Sequence, residues 1–161
     1  MQNSEGKYEM KTIIQEHITL ISQTENVVAP IQIKYDAEFG DTVEIDLIYN
    51  GVLYQGKGTD NLWVDAFANL QSKLPKNIKI ACCMTCRHGN MCPFGNKENQ
   101  LFCTNNLTVA SKEDLIKLFN STDLYKENAV TAINYCDNFV YQSNDYYTYN
   151  DYLCQLKKKN K

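Results

Sequence analysis

The chain has 161 residues, of which 43% are hydrophobic and 22% are charged, and its formal net charge at pH 7 is −3. This length suits one folded domain with a substantial core, so we expect residues 1–161 to form a single domain. The weak negative charge argues against broad binding to a phosphate backbone, which needs a basic face, and we expect no nucleic-acid partner.

The amino-terminal residues are polar, and no long apolar run follows them. This pattern predicts neither a signal peptide nor a membrane-spanning segment. We therefore expect a cytoplasmic protein without a membrane partner, whose thiols stay reduced. The odd number of cysteines, seven, points the same way, because disulfides alone would leave one cysteine over.

The first third of the chain alternates between apolar and polar residues, as half-buried strands do. This alternation predicts strands over residues 31–35 and 43–49, and an earlier strand over about residues 12–22. Asn50-Gly51 matches a two-residue turn that needs positive φ at both positions, so we expect a hairpin that returns through residues 52–56.

After residue 58 the apolar spacing changes to that of a helix. One predicted helical face carries the apolar side chains of Leu62, Trp63, Ala66, Phe67, Leu70 and Leu74. Asp60 is the expected N-cap, and Pro75 ends the segment. A short strand over residues 78–82 then leads into a cysteine-rich loop at about residues 82–103.

Beyond the cysteines, the sequence predicts a strand over residues 100–103 and a helix over residues 115–119. The helix follows Ser111 and Asp114, which have the spacing of a capping box. A terminal helix is expected over residues 149–158, with Leu153 and Leu156 facing inward, whereas residues 124–141 fit either a helix or an extended segment. The predicted fold class is α+β: an antiparallel sheet with an N-terminal hairpin region, two to three packed helices and a cysteine-rich metal-binding loop.

Five of the seven cysteines lie within residues 82–103, and four of them are spaced C-x2-C-x5-C-x10-C. A C-x2-C turn brings two sulfur atoms to one centre at unstrained backbone angles. We therefore predict a metal site with the ligands Cys83, Cys86, Cys92 and Cys103. Cys82 points to the opposite face of the incoming strand, so we expect it in the core.

Zinc is the metal that this ligand set favours, because its filled d shell accepts four thiolates in a tetrahedron. Four sulfur ligands leave no position for water, which predicts a structural ion rather than a catalytic one. The first three cysteines resemble the ligand spacing of the auxiliary-cluster domains of radical enzymes, although the fourth cysteine comes later here. An iron–sulfur cluster is therefore the alternative. His88, Cys136 and Cys154 remain open as further ligands, and Cys82 could replace Cys83 at a C-x3-C spacing.

The sequence contains no nucleophile elbow, P-loop, dinucleotide fingerprint or H-E-x-x-H helix, which argues against an enzyme. A tyrosine-rich stretch, residues 141–152, lacks interleaved lysine or arginine and predicts either tyrosines that cover the sheet or a protein-binding surface. We expect a non-enzymatic protein-interaction or accessory module with a structural zinc site and a protein partner not identified by the sequence. The alternative is an iron–sulfur or redox accessory protein that uses the same cysteines.

Overall fold

A computed structural model describes residues 11–36, 42–58, 62–94 and 100–161. In these ranges the chain is a mixed α+β protein with eight strands and four helices. No described helix is both long and apolar enough to cross a membrane. The strands are β1 (Lys11–Ile21), β2 (Asn26–Asp36), β3 (Val43–Tyr49), β4 (Val52–Gly58), β5 (Lys79–Ala81), β6 (Gly89–Asn90), β7 (Gln100–Cys103) and β8 (Ala129–Thr131). The helices are α1 (Leu62–Lys73), α2 (Lys112–Phe119), α3 (Thr122–Glu127) and α4 (Tyr152–Lys159).

The larger sheet has five antiparallel strands in the order β4-β3-β2-β1-β5. The predicted hairpin is confirmed, since Asn50 and Gly51 have φ values of 50° and 75° and Tyr49 pairs with Val52. Both residues adopt the left-handed conformation that this turn requires, and Asn and Gly tolerate it best. The early strand predicted over residues 12–22 is β1.

The core lies between one face of this sheet and α1. Every second residue of the central strands points inward, and Ile33, Ile45 and Leu47 are completely buried. Helix α1 contributes Phe67 and Leu70 to the core, and both are also completely buried. At ideal geometry a Cβ on Gly56 would lie 2.5 Å from the Ala66 carbonyl oxygen, so glycine at this position lets the helix approach β4 closely.

The carboxyl-terminal half contributes a second sheet, with the order β6-β7-β8. β7 coincides with the strand predicted over residues 100–103. Helix α2 begins as the capping-box pattern predicts, because the Asp114 carboxylate accepts the backbone N–H of Ser111 at 3.2 Å. Helix α4 packs against α1, and Lys159 pairs with Asp65 at 2.7 Å.

Four helices are described where two to three were expected. The additional helix is α3, in which no side chain is buried, and so it carries no apolar stripe from which a helix could be predicted. The ambiguous residues 124–141 resolve into the end of α3, then β8, then a loop. The predicted N-cap Asp60 lies outside the described residues.

Candidate metal centre

Strand β5 leads directly into residues 82–90, which we call the cysteine turn. A 3-10 turn, Cys83–Thr85, carries the backbone from Cys83 to Cys86, and the Cys86 N–H donates to the Cys83 carbonyl oxygen at 3.3 Å. The Gly89 N–H then donates to the Cys86 carbonyl oxygen at 3.1 Å. A Cβ on Gly89 would overlap the Cys83 carbonyl oxygen, so this tight path requires glycine at position 89.

Cys82 lies in the core, as predicted. It is completely buried among the hydrophobic core residues, and burial raises the pKa of its thiol to about 12. The Thr85 hydroxyl donates to the Ile80 carbonyl oxygen at 2.8 Å and holds the turn against the end of β5. Cys82 therefore serves as a small apolar residue.

Two other segments of the chain meet the cysteine turn. The pairing of β6 with β7 sets Gly89 opposite Cys103. The loop after β8, residues 132–140, lies along the turn. The Cys83 N–H donates to the Asn134 carbonyl oxygen at 2.7 Å, and the Met84 N–H donates to the Ala132 carbonyl oxygen at 2.9 Å. That loop carries Cys136. Residues distant in sequence therefore bring further thiols to the cysteine turn.

The pKa values of Cys83 and Cys86 are raised by burial and by other thiols. Burial raises the pKa of the Cys83 thiol, and the thiols of Cys82, Cys86, Cys103 and Cys136 raise it further. The pKa of Cys86 is raised by burial, and again by Cys103 and Cys136. Cys83 and Cys86 resist ionisation because a thiolate at either position would be poorly solvated and close to other thiols. Cys103 and Cys136 thus lie within electrostatic reach of both Cys83 and Cys86.

The Cys86 sulfur also faces two hydrogen-bond donors. Backbone N–H groups of Val140 and His88 point at it, and both work against the rise of its pKa that burial causes. Donors of this kind stabilise a thiolate and are a usual feature around cysteine ligands. The turn and the 132–140 loop each supply one of them.

Three of the four predicted ligands come together in this way, namely Cys83, Cys86 and Cys103. The half-buried Cys92 follows β6, and Cys136 is a further thiol that acts on Cys83. No group of three or more Cys, His, Asp or Glu side chains in the described ranges is arranged so that it could hold a metal ion. The ligand set therefore stays a prediction. Cys136 has no second cysteine at C-x2-C spacing, so nothing local in the sequence marks it.

The tyrosine-rich stretch forms a strap, residues 141–150, over the cysteine turn. The Gln142 side-chain amide donates to the carbonyl oxygens of Met84 and Cys86 at 3.2 and 3.4 Å. The Asn150 amide donates to Met84 and Gly89 at 2.9 and 3.1 Å. The tyrosine-rich segment is thus fastened to the cysteine turn by side chains that are not tyrosines.

One tyrosine of the strap covers the outer side of the turn. The Tyr146 ring centre lies 5.5 Å from the His88 ring centre and 5.0 Å from the Arg87 guanidinium carbon. Burial lowers the pKa of His88, and the Arg87 charge lowers it further. The His88 Nδ1 atom is buried without a hydrogen-bond partner. Both effects favour the neutral form of His88, which stays open as a ligand.

Neither a protein-family model nor a curated protein sequence matches the chain. The cysteine turn, β7 and the 132–140 loop bring Cys83, Cys86, Cys103 and Cys136 into one region of the described structure.

Proposed function

We propose that this protein is a non-enzymatic interaction or accessory module of the cytoplasm, braced by a structural zinc ion. We assign the ion to the thiolates of Cys83, Cys86, Cys103 and Cys136, with Cys136 in place of the Cys92 of the sequence-based prediction. The observation that carries this proposal is the meeting of three chain segments that bear these four thiols: β7 pairs with β6 so that Cys103 lies opposite Gly89, and the loop that carries Cys136 bonds to the backbone of Cys83 and Met84.

The ligand chemistry fits zinc better than other ions. Four sulfur ligands form the closed tetrahedral site that structural zinc prefers, at about 2.3 Å from each sulfur. The N–H groups of His88 and Val140 would offset part of the thiolate charge at Cys86. Binding requires the four side chains to turn toward one centre, because in the described structure they do not yet form such a group.

The loop that carries Cys136 is the most exposed of the segments that the ion would join. In the 132–140 loop, Tyr135 is 36% exposed and Val140 is 42% exposed, and Cys136 is exposed as well. A loop this exposed gains little from apolar burial, so a bound ion would add to the backbone hydrogen bonds that hold it against the cysteine turn. Structural zinc in small domains contributes on the order of 10 kcal/mol to folding, which is ample to fix three segments.

A partner surface is available on the larger sheet. Val28, Ile48 and Leu53 are 66%, 50% and 54% exposed. They lie on the face opposite α1, because their neighbours in each strand point into the core. Apolar side chains that share one exposed face are a feature of interaction surfaces, and this supports a binding role. An enzymatic role has less support, because the two histidines lie on different elements. His17 is on β1 opposite Pro30, and His88 is in the cysteine turn.

The alternative is an iron–sulfur cluster in an accessory protein, held by the cysteines of the sequence-based prediction, which include Cys92. It is favoured by the Cys92-Pro93 pair, since Cys-Pro occurs at the ends of iron–sulfur ligand runs. The two functions differ in colour and in metal content. A zinc protein is colourless, whereas an iron–sulfur protein is brown with broad visible absorption.

Elemental analysis together with the visible spectrum of anaerobically purified protein tests the proposal. We expect about one zinc per chain, no visible absorption and a large fall in melting temperature when a chelator removes the metal. Iron with sulfide in the same preparation would establish the alternative. Protein that contains neither metal, and whose stability a chelator leaves unchanged, would exclude both.

A further inference from the structure

A cavity of about 480 Å³ lies apart from the cysteine cluster, between the end of α1, the strap and α4. Its volume falls within the usual range for sites that bind small molecules, about 300–1,000 Å³. The apolar part of its wall comes from Leu74 at the end of α1 and from Tyr152, Leu153 and Leu156 of α4. These side chains offer a continuous surface to an aromatic or alkyl group.

Two of the polar amides in the wall, Gln71 and Gln142, are already engaged. The Gln71 amide accepts the Ile80 N–H and donates to the Ile78 carbonyl oxygen, at 2.8 and 2.9 Å. The Gln142 amide donates to carbonyl oxygens of the cysteine turn. A ligand in the cavity would therefore meet an inner wall with few polar groups left to satisfy.

The charged side chains that line the cavity are positive. Lys76 and Lys79 both line it, and both are exposed, whereas the described lining residues include no Asp or Glu. The Lys79 ammonium lies 5.0 Å from the centre of the Tyr141 ring, which holds it on the cavity side of the strap. Two cations beside an apolar wall are complementary to a ligand with one apolar part and one anionic part.

We propose that this cavity binds a small amphipathic anion, with its apolar body against Leu74, Leu153 and Leu156 and its acidic group between Lys76 and Lys79. This inference goes beyond the zinc-braced module, and it needs neither the metal nor a protein partner. The acidic group is a carboxylate or a sulfonate, both of which present oxygen acceptors to ammonium donors.

Two fluorescent probes of nearly the same shape test the proposal. 8-Anilinonaphthalene-1-sulfonate carries the anionic group, and N-phenyl-1-naphthylamine has the same rings without it. We expect saturable binding of the sulfonate at one site on the folded wild-type protein. The double variant Lys76→Gln/Lys79→Gln should weaken that binding about tenfold and leave the affinity for the neutral probe unchanged.

A matched control is the double variant Lys57→Gln/Lys112→Gln, which removes the same charge at positions away from the cavity. It should bind the sulfonate as the wild type does. Amide chemical shifts measured during the titration should change for residues 71–79 and 152–156. The proposal is overturned if the sulfonate does not bind, if both double variants weaken it equally, or if the shifts lie on the outer face of the larger sheet.

Discussion

The side-chain amide of Gln71 takes the place of a neighbouring strand beside Ile80. Its Oε1 atom accepts the Ile80 N–H at 2.8 Å, and its Nε2 atom donates to the Ile78 carbonyl oxygen at 2.9 Å. The hydroxyls of Thr85 and Tyr141 both donate to the Ile80 carbonyl oxygen at 2.8 Å. The outer backbone groups of the edge strand β5 are thereby satisfied without a further strand.

Side chains of α1 also satisfy backbone groups of β4, the strand at the opposite edge of the sheet. The Asn69 side chain accepts the Lys57 N–H at 3.0 Å, and the Lys73 ammonium donates to the Gln55 carbonyl oxygen at 2.7 Å. Unsatisfied edge strands invite pairing with another chain. Helix α1 therefore covers the core with one side and protects both edges of the sheet with its polar side chains.

Gln71→Ala should destabilise the protein by about 1–3 kcal/mol, because it removes the partners of two backbone groups at β5. Chemical denaturation with urea measures the change. Gln15→Ala, at an exposed position on β1, is the matched control and should change stability by less than about 0.5 kcal/mol. Equal effects of the two substitutions would show that the Gln71 amide does not stabilise the edge.

The double variant Asn69→Ala/Lys73→Ala should expose the β4 edge and promote self-association. We expect its mean molecular mass in sedimentation experiments to rise with protein concentration. The single variant Ser72→Ala, on the same helix, should remain at the mass of the wild type. A double variant that behaves as the wild type at every concentration would contradict an edge-protecting role.

Asn150→Asp should loosen the strap from the cysteine turn. The substitution keeps the shape of the side chain but replaces the amide donor, which serves Met84 and Gly89, with a carboxylate oxygen. A carboxylate that faces two carbonyl oxygens costs about 1–3 kcal/mol or more, since a charged group loses its hydrogen-bond partners. Asn106→Asp, at an exposed loop position, is the control, and it should leave the urea midpoint unchanged.

The Asp46 carboxylate should make the stability of the fold depend on pH. Burial alone would raise its pKa, but hydrogen bonds from Gln55 and Lys34 and the charge of Lys34 outweigh burial, and the pKa lies below its ordinary value. A depressed pKa stabilises the fold above the pKa of the unfolded state, about 3.9, and this contribution is lost as the pH falls through the folded-state pKa.

Wild-type protein should therefore be more stable than Asp46→Asn at pH 7. The difference should be about 1 kcal/mol or less, because water reaches both partners of the Lys34 ion pair. Urea denaturation from pH 7 downward should show that the difference shrinks below about pH 4. A difference that stays constant over this range would mean that the Asp46 charge does not contribute.

The sequence was sufficient where structure is local and periodic. The alternation of apolar and polar residues predicted the strands up to β4, and Asn50-Gly51 predicted the turn between β3 and β4. The spacing of Trp63 and Phe67 predicted α1. The cysteine spacing also identified the turn that carries Cys83 and Cys86. These features all depend on residues that are close in the chain.

The sequence was insufficient where contacts join distant segments. Cys136 reaches the cysteine turn because backbone groups of residues 132–140 bond to it, and backbone bonds leave no mark on residue type. The strap is held by Gln142 and Asn150, whose partners are carbonyl oxygens that every residue possesses. Each of these two amides bonds to two carbonyl oxygens of the turn.

The zinc content of four purified variants tests the central claim most directly. Cys83→Ser and Cys136→Ser each remove a proposed ligand, whereas Cys92→Ser and Cys154→Ser remove thiols outside the proposed set. We predict about one zinc per chain in the wild type and in the last two variants, and substoichiometric, easily chelated zinc in the first two. Full zinc content in Cys136→Ser together with its loss from Cys92→Ser would contradict the account.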